Sequence, residues 1–322
     1  MRILCLVNPH ARRLRRGRLA ADQVQAILGR AGDVVITKDL DHLRTVLEDE
    51  LDERLACVVT VGGDGALHWA LNYALPLAQA RGLTLPPFLP ARSGTIDFVA
   101  RKVGLEGSPA DILARLAARV RAGEPISTRS LPTARFEMDG ADGSRTDIIA
   151  FASAIGGIGV RFFDQYYAHP DPSPATIVAV IARAVSGAPF GTAHAREMFR
   201  PQQARVHIDG VLLPETIHSG LHVGAIDLDL GGVLKVFPLA KGGAALHLHA
   251  GELDTAAIIG SLPALASGGA IRGERFHDVG GQRMEIEALG EERLGPVIDG
   301  ERYAPMSRVV VTRGPEIRVA VV

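Results

Sequence analysis

The stretch Val58-Val59-Thr60-Val61-Gly62-Gly63-Asp64-Gly65-Ala66-Leu67 decides how this chain is read. An apolar, β-branched run meets two glycines, and a helical pattern follows from Leu67 to about Ala80. Such a strand–turn–helix unit aims backbone N–H groups and a helix N-terminus at one point, which suits a phosphate. Asp64 stands in the middle of it. A carboxylate there repels phosphate unless it binds a cation or accepts a proton, as phosphoryl-transfer sites require. The plainer alternative is a tight connection with a capping aspartate.

The flanking residues extend this unit into an alternation. Ile3–Val7 reads as a strand and Leu19–Leu28 as a helix, followed by strand Val34–Thr37 and helix Leu40–Leu51. Strand Cys57–Val61 precedes the glycine turn. Phe88-Leu89-Pro90 is a short strand, and Ile96–Val103 and Ala110–Val120 are helical. The pattern predicts an α/β, Rossmann-like unit with a parallel sheet between helices.

From Arg129 onward short strands dominate: Arg135–Met138, Asp147–Ala154, Ala204–Ile208, Val211–Leu213, Leu221–Ile226, Val233–Pro238 and Ala245–His249. Met284–Ala288, Val297–Ile298, Arg308–Thr312 and Ile317–Val322 follow. Asp139-Gly140 and Asp209-Gly210 read as hairpin turns. Helices are expected near Pro174–Ser186 and Leu253–Ser267. We expect an antiparallel β-sandwich, with a boundary in 122–130. The division is then 1–125 for the α/β unit and 126–303 for the β-rich one.

Composition limits the function classes. The 322 residues are 47% hydrophobic and 22% charged, with a formal net charge of −1. That argues against extended disorder and against a general nucleic-acid binder. Cys5 and Cys57 lie in apolar runs, as reduced buried thiols do. No run approaches the ~20 apolar residues of a membrane span, and Asn8-Pro9 cuts the first apolar run too short for a signal segment. The 36 glycines, about 11% against a usual ~7%, imply many turns or close backbone approaches.

Four elements in order resemble the diacylglycerol kinase catalytic-domain family, whose relatives include sphingosine, ceramide and, distantly, NAD kinases. They are Val7-Asn8-Pro9, the Gly62-Gly63-Asp64-Gly65-Ala66 turn, the loop Pro90-Ala91-Arg92-Ser93-Gly94-Thr95-Ile96-Asp97, and Asp299-Gly300-Glu301. The resemblance implies a nucleotide-binding unit, a β-rich lipid-substrate unit with the active site between them, and a C-terminal segment 304–322 that returns to the first. It implies that Asn8, Thr37, Gly62, Gly63, Asp64, Gly65, Ala66, Gly94 and Thr95 surround ATP. Asp64, Asp299 and Glu301 are the catalytic candidates, the last two as the acids from which the general base is drawn. Thr37 also reads as a helix cap before Leu40, and Asp299-Gly300 as a hairpin turn.

Several positions depart from the family pattern. Ala66 replaces a threonine, a loss of about 1.5–3 kcal/mol if that hydroxyl bonded phosphate. Asp97 replaces an asparagine. The acids of a structural magnesium site are missing around Leu230-Gly231-Gly232-Val233-Leu234-Lys235-Val236, and the Lys235 ammonium pairing with Asp227, Asp229 or another local acid is a candidate substitute.

The resemblance implies an ATP-dependent lipid kinase, with magnesium accompanying the nucleotide. Its acceptor is a hydroxyl of diacylglycerol, ceramide or a sphingoid base. The enzyme is then cytoplasmic, touching the inner membrane face peripherally, with no nucleic acid partner. A degenerate nucleotide- or lipid-binding protein, or a kinase of a soluble substrate, remains the alternative. Arg12, Arg13, Arg15, Arg16 and Arg18 form a basic cluster suited to phosphates or an anionic membrane, or simply a solvated loop. The helix stripe Ile177, Val178, Val180, Ile181 and Val185 reads as core, with a lipid-facing surface as the other option. His247 and His249 share a strand face as a metal pair would. With no matching acid or thiol set apparent, core or surface histidines are the preferred reading.

Overall fold

The computed structural model describes residues 2–9 and 21–322, so the Arg12–Arg18 cluster lies outside the described residues. The chain forms two compact units, 1–131 with 316–322, and 132–315.

In the first unit, β1 (Arg2–Val7), β2 (Gly32–Ile36), β3 (Leu55–Val61) and β4 (Phe88–Pro90) pair in parallel in the order β2-β1-β3-β4. The C-terminal strand Ile317–Val321 continues the sheet in parallel beside β4, and β5 (Ser127–Leu131) closes it antiparallel. β1 and β3 are apolar almost throughout because helices cover both faces of a parallel sheet. α1 (Ala21–Leu28) packs with α5 (Pro109–Arg121), and α2 (Leu40–Glu50) with α3 (Asp64–Ala80). α5 starts in a capping box, Ser108 with Asp111, and has Pro109 in its first turn.

Two expectations change here. The helix expected over Ile96–Val103 is only α4 (Phe98–Lys102), because Asp97 is left-handed at φ 53° and cannot be helical. The returning C-terminal segment is shorter than 304–322, since Met306–Arg313 lies in the second unit's sheet.

The second unit is the expected sandwich. One sheet has seven antiparallel strands, with Gln202–Ile208, Arg283–Ala288, Met306–Arg313, β6 (Ala134–Gly140) and β7 (Arg145–Ala150) in sequence across it. The other has six, in the order Phe276–Gly281, Leu246–Gly251, Gly220–Gly224, β8 (Ala152–Gly157), Val297–Ile298 and Glu301–Arg302. β6 alternates buried Phe136 and Met138 with outward Arg135 and Glu137, as a sheet with one face on the core must. Phe136, Met138, Val206, Met284, Ile286 and Val309 meet Ile155, Leu221, Val223, Leu246 and Leu248 in one core.

The strand expected over Asp147–Ala154 is two, because the chain switches sheets at Phe151 between β7 and β8. A second switch falls at Gln282, between Phe276–Gly281 and Arg283–Ala288. The helix expected over Leu253–Ser267 is divided at Ser261 into Thr255–Gly260 and Leu262–Ser267, with Pro263 in the first turn of the second piece. α6 (Ile158–Tyr167), α7 (Pro174–Gly187) and α8 (Ala193–Met198) lie between β8 and Gln202–Ile208 in sequence. In α7, Ile177 and Val180 are buried and Val180 packs with Met198, so that stripe is mainly core; Val178 points outward.

Cys5 and Cys57 are fully buried on β1 and β3, and burial pushes both thiols well above their ordinary pKa. Ellman's reagent is expected to find no reactive thiol in the native protein and two after denaturation. Rapid labelling of either cysteine before unfolding contradicts the buried parallel sheet.

Candidate functional site

The strand order β2-β1-β3-β4 reverses direction between β1 and β3. Ligands of open α/β sheets bind outside the carboxyl ends of the strands at such a switch point. Asn8, Thr37, Gly62 and Ser93 all stand at those ends. Asn8 N donates to Val61 O at 3.0 Å, and Ser93 N donates to Gly62 O at 3.3 Å. Thr37 donates to Val7 O through both its backbone N and its hydroxyl, while Asp39 caps α2. Thr37 is therefore a strand-end residue and not the helix cap.

α3 begins at Asp64 behind Gly63, and no side chain caps it. Ala66 N in this first turn donates to Gly63 O at 3.0 Å, and an anion at the N-terminus of α3 gains from the helix dipole. The Asp64 carboxylate is turned to the second loop: its oxygens accept from Phe98 N at 3.2 Å and Val99 N at 3.3 Å. Asp64 thus caps α4 from a distance of 34 residues in sequence.

The glycines let the two loops touch. A Cβ on Gly94 would lie 2.4 Å from the Gly63 Cα, and one on Gly62 would lie 2.4 Å from the Ala66 Cβ. Neither Gly63 nor Gly94 has a positive φ, so space, not backbone conformation, dictates glycine. Asp97 Oδ1 accepts from Gly94 N at 2.9 Å and closes the turn that carries Thr95. An asparagine carbonyl would do the same, so the departure from the family residue preserves the loop.

The second set of candidates is on the second unit. Asp299-Gly300 is a left-handed two-residue turn, φ 49° and 87°, joining Val297–Ile298 to Glu301–Arg302. Asp299 is 5% exposed, and its Oδ1 accepts from Phe151 N at 2.9 Å and Ala152 N at 3.0 Å. These are the amides at the sheet switch. Asp209-Gly210 repeats the device, with φ 50° and 83°. Asp209 Oδ1 accepts from Gln282 N and Arg283 N, each at 2.8 Å, at the other switch. These two sheet switches are each pinned by an Asp-Gly turn, so the turn reading of Asp299 is realised. α6 braces the same turn: Tyr167 donates its hydroxyl to Gly300 O at 2.6 Å, and Asp164 pairs with Arg302 at 2.5 Å. No local pattern in the sequence announces that α6 contact.

Lys235 is exposed on the small hairpin of Leu228–Leu230 with Leu234–Val236. Asp229 is its register partner but accepts from Gly232 N instead. Lys235 and Asp229 form no ion pair among the described residues, so that version of the pairing is not realised. The acid missing beside His247 and His249 is Asp278, brought in by the adjacent strand.

Two stability results are expected. Asp299→Gly removes the carboxylate without straining a left-handed position and orphans two amides at a buried corner, costing about 2–3 kcal/mol. Asp209→Gly does the same at an exposed corner and costs about 1 kcal/mol. Urea unfolding measures both, and a neutral Asp299→Gly refutes the corner role. Gly94→Ala is expected to force the two loops of the first unit apart, which lowers the urea midpoint of unfolding.

The described residues 2–9 and 21–126 fall within a match to the family model described as diacylglycerol kinase catalytic domain, which spans residues 2–126 and supports a kinase. No curated protein matches the chain by sequence. Among solved structures, it is similar to a candidate diacylglycerol kinase from Bacillus anthracis str. Sterne. That pair has 14% identity and a TM-score of 0.67, covering 97% of this chain and 94% of the other. A yeast NADH kinase complexed with NADH is similar at 12% identity and a TM-score of 0.54, covering 100% and 84%. At these identities the likeness is one of fold. Residues 2–126 thus carry a match to the diacylglycerol kinase catalytic domain, and the α/β and β-sandwich units share the fold of these diacylglycerol kinase and NADH kinase structures.

Proposed function

We propose that the protein is an ATP-dependent kinase that phosphorylates a hydroxyl of a membrane lipid: diacylglycerol, ceramide or a sphingoid base. The observation that supports it best is the pair of touching glycine loops at the β1/β3 switch point, beside an α3 N-terminus without a side-chain cap. In this reading the N–H groups of residues 62–65 and 94–95 hold the ATP phosphates, and Asn8 and Thr37 line the nucleotide. Asp64 keeps the second loop in place through Phe98 and Val99. Magnesium travels with the nucleotide and offsets phosphate charge. The Leu230–Val236 segment offers no acid pair for a separate structural magnesium.

Phosphoryl transfer also needs an acceptor for the hydroxyl proton. Asp299 already holds two backbone amides, so Glu301 is the proposed base and Asp299 positions its turn. A lipid acceptor calls for peripheral membrane contact, and no helix among the described residues is long and apolar enough to cross a bilayer.

The test is transfer of labelled γ-phosphate to a panel of diacylglycerol, ceramide, sphingosine and NAD, with magnesium present. Label on one of the three lipids supports the reading. Label on NAD alone moves the protein to the soluble-substrate class, and no label with folded protein defeats the kinase assignment. Glu301→Gln is expected to lower kcat by about 10²–10⁴ with the KM for ATP little changed. Full turnover in that variant removes Glu301 from the mechanism.

A further inference from the structure

The strand Leu246–Gly251 is buried along both faces. Leu246, Leu248 and Ala250 enter the sandwich core, so His247 and His249 lie together on the opposite face. The neighbouring strand sets Asp278 directly opposite His249. The three side chains are 0%, 5% and 6% exposed, and one donor atom from each lies within 4.8 Å of the others. Phe237 covers both imidazoles, at ring separations of 5.8 and 5.6 Å.

Hydrogen bonding leaves this cluster incomplete. Asp278 Oδ1 is bonded to His247 Nε2, and Oδ2 accepts from Ile271 N at 2.5 Å. His249 Nε2 faces Asp278 Oδ1 at 3.7 Å, is shut off from solvent, and has no hydrogen-bond partner. A buried polar atom left in that state is costly, and an electron-pair acceptor placed between these groups removes the cost.

We propose that His247, His249 and Asp278 bind one divalent transition-metal ion, zinc foremost. Two imidazole nitrogens and one carboxylate oxygen are a donor set of three-ligand zinc sites, whereas magnesium prefers oxygen alone. Zinc bonds of about 2.0–2.1 Å in a tetrahedron set donor atoms roughly 3.3 Å apart. His249 Nε2 and Asp278 Oδ1 are already close to that spacing, and the tighter His247–Asp278 contact opens as the ion enters. His247 Nδ1 accepts from Leu239 N at 3.2 Å, so the ring proton sits on Nε2. Metal binding at Nε2 moves that proton to Nδ1 and releases the Leu239 amide from its acceptor. The ring stays neutral and no proton is left over. Water completes the coordination. The site is independent of the proposed kinase reaction.

The full chain, treated with chelator and freed of nucleotide and magnesium, is titrated with Co²⁺ as a spectroscopic substitute for Zn²⁺. One equivalent is expected to give the visible absorption of a four-coordinate site, and Zn²⁺ is expected to displace it. His249→Gln and Asp278→Asn are each expected to weaken binding by at least about 100-fold, with circular dichroism reporting the fold. If Asp278→Asn does not fold, His249→Gln decides, because the nitrogen it replaces holds no hydrogen bond that folding would lose. The proposal is overturned if the wild-type chain binds no Co²⁺ or Zn²⁺, or if a folded variant binds one equivalent as tightly as the wild type.

Discussion

The first unit depends on how closely two loops approach each other at the ends of β3 and β4. Gly63 and Gly94 pack backbone to backbone, and Asp64 reaches across to hold the amides of Phe98 and Val99. Remove either feature and the loops separate, taking with them the convergence of N–H groups at the switch point. Asp64 is then an architectural residue before it is anything else. Its carboxylate caps α4 by accepting from the N–H groups of the first two residues of that helix.

The sandwich uses the same economy of means. At two of the places where the chain passes between its two sheets, Phe151 and Gln282, the ladder of backbone bonds is interrupted. An aspartate in a left-handed turn supplies the missing acceptor at each corner. The buried copy, Asp299, is followed by Gly300 and Glu301, which α6 braces through Tyr167 and Asp164. The residue two places before Glu301 is thereby fixed by the fold itself.

Much of this was legible in the sequence because its causes are local. The β-branched run before Gly62-Gly63 and the helical period after it identify a strand and a helix whatever the rest of the chain does. Asp209-Gly210 and Asp299-Gly300 read as turns for the same reason, whereas Asp139-Gly140, read the same way, ends strand β6. What could not be read depends on partners far away in sequence. Asp299 meets Phe151 across nearly half the chain, and Asp278 meets His247 and His249 only through sheet register. The family likeness drew Asp299 toward catalysis, and geometry shows its first task is structural. The division of Leu253–Ser267 at Ser261 was visible in principle, since Pro263 fits the first turn of a new helix and not the interior of a continuous one.

The central claim is that nucleotide phosphates occupy the convergence of the two glycine loops. A crystal structure with a non-hydrolysable ATP analogue and magnesium tests it most directly. The account predicts phosphate oxygens within hydrogen-bond distance of backbone N–H groups in 62–65 and 94–95, at the start of α3. Nucleotide bound elsewhere, with these amides turned to solvent, would contradict it.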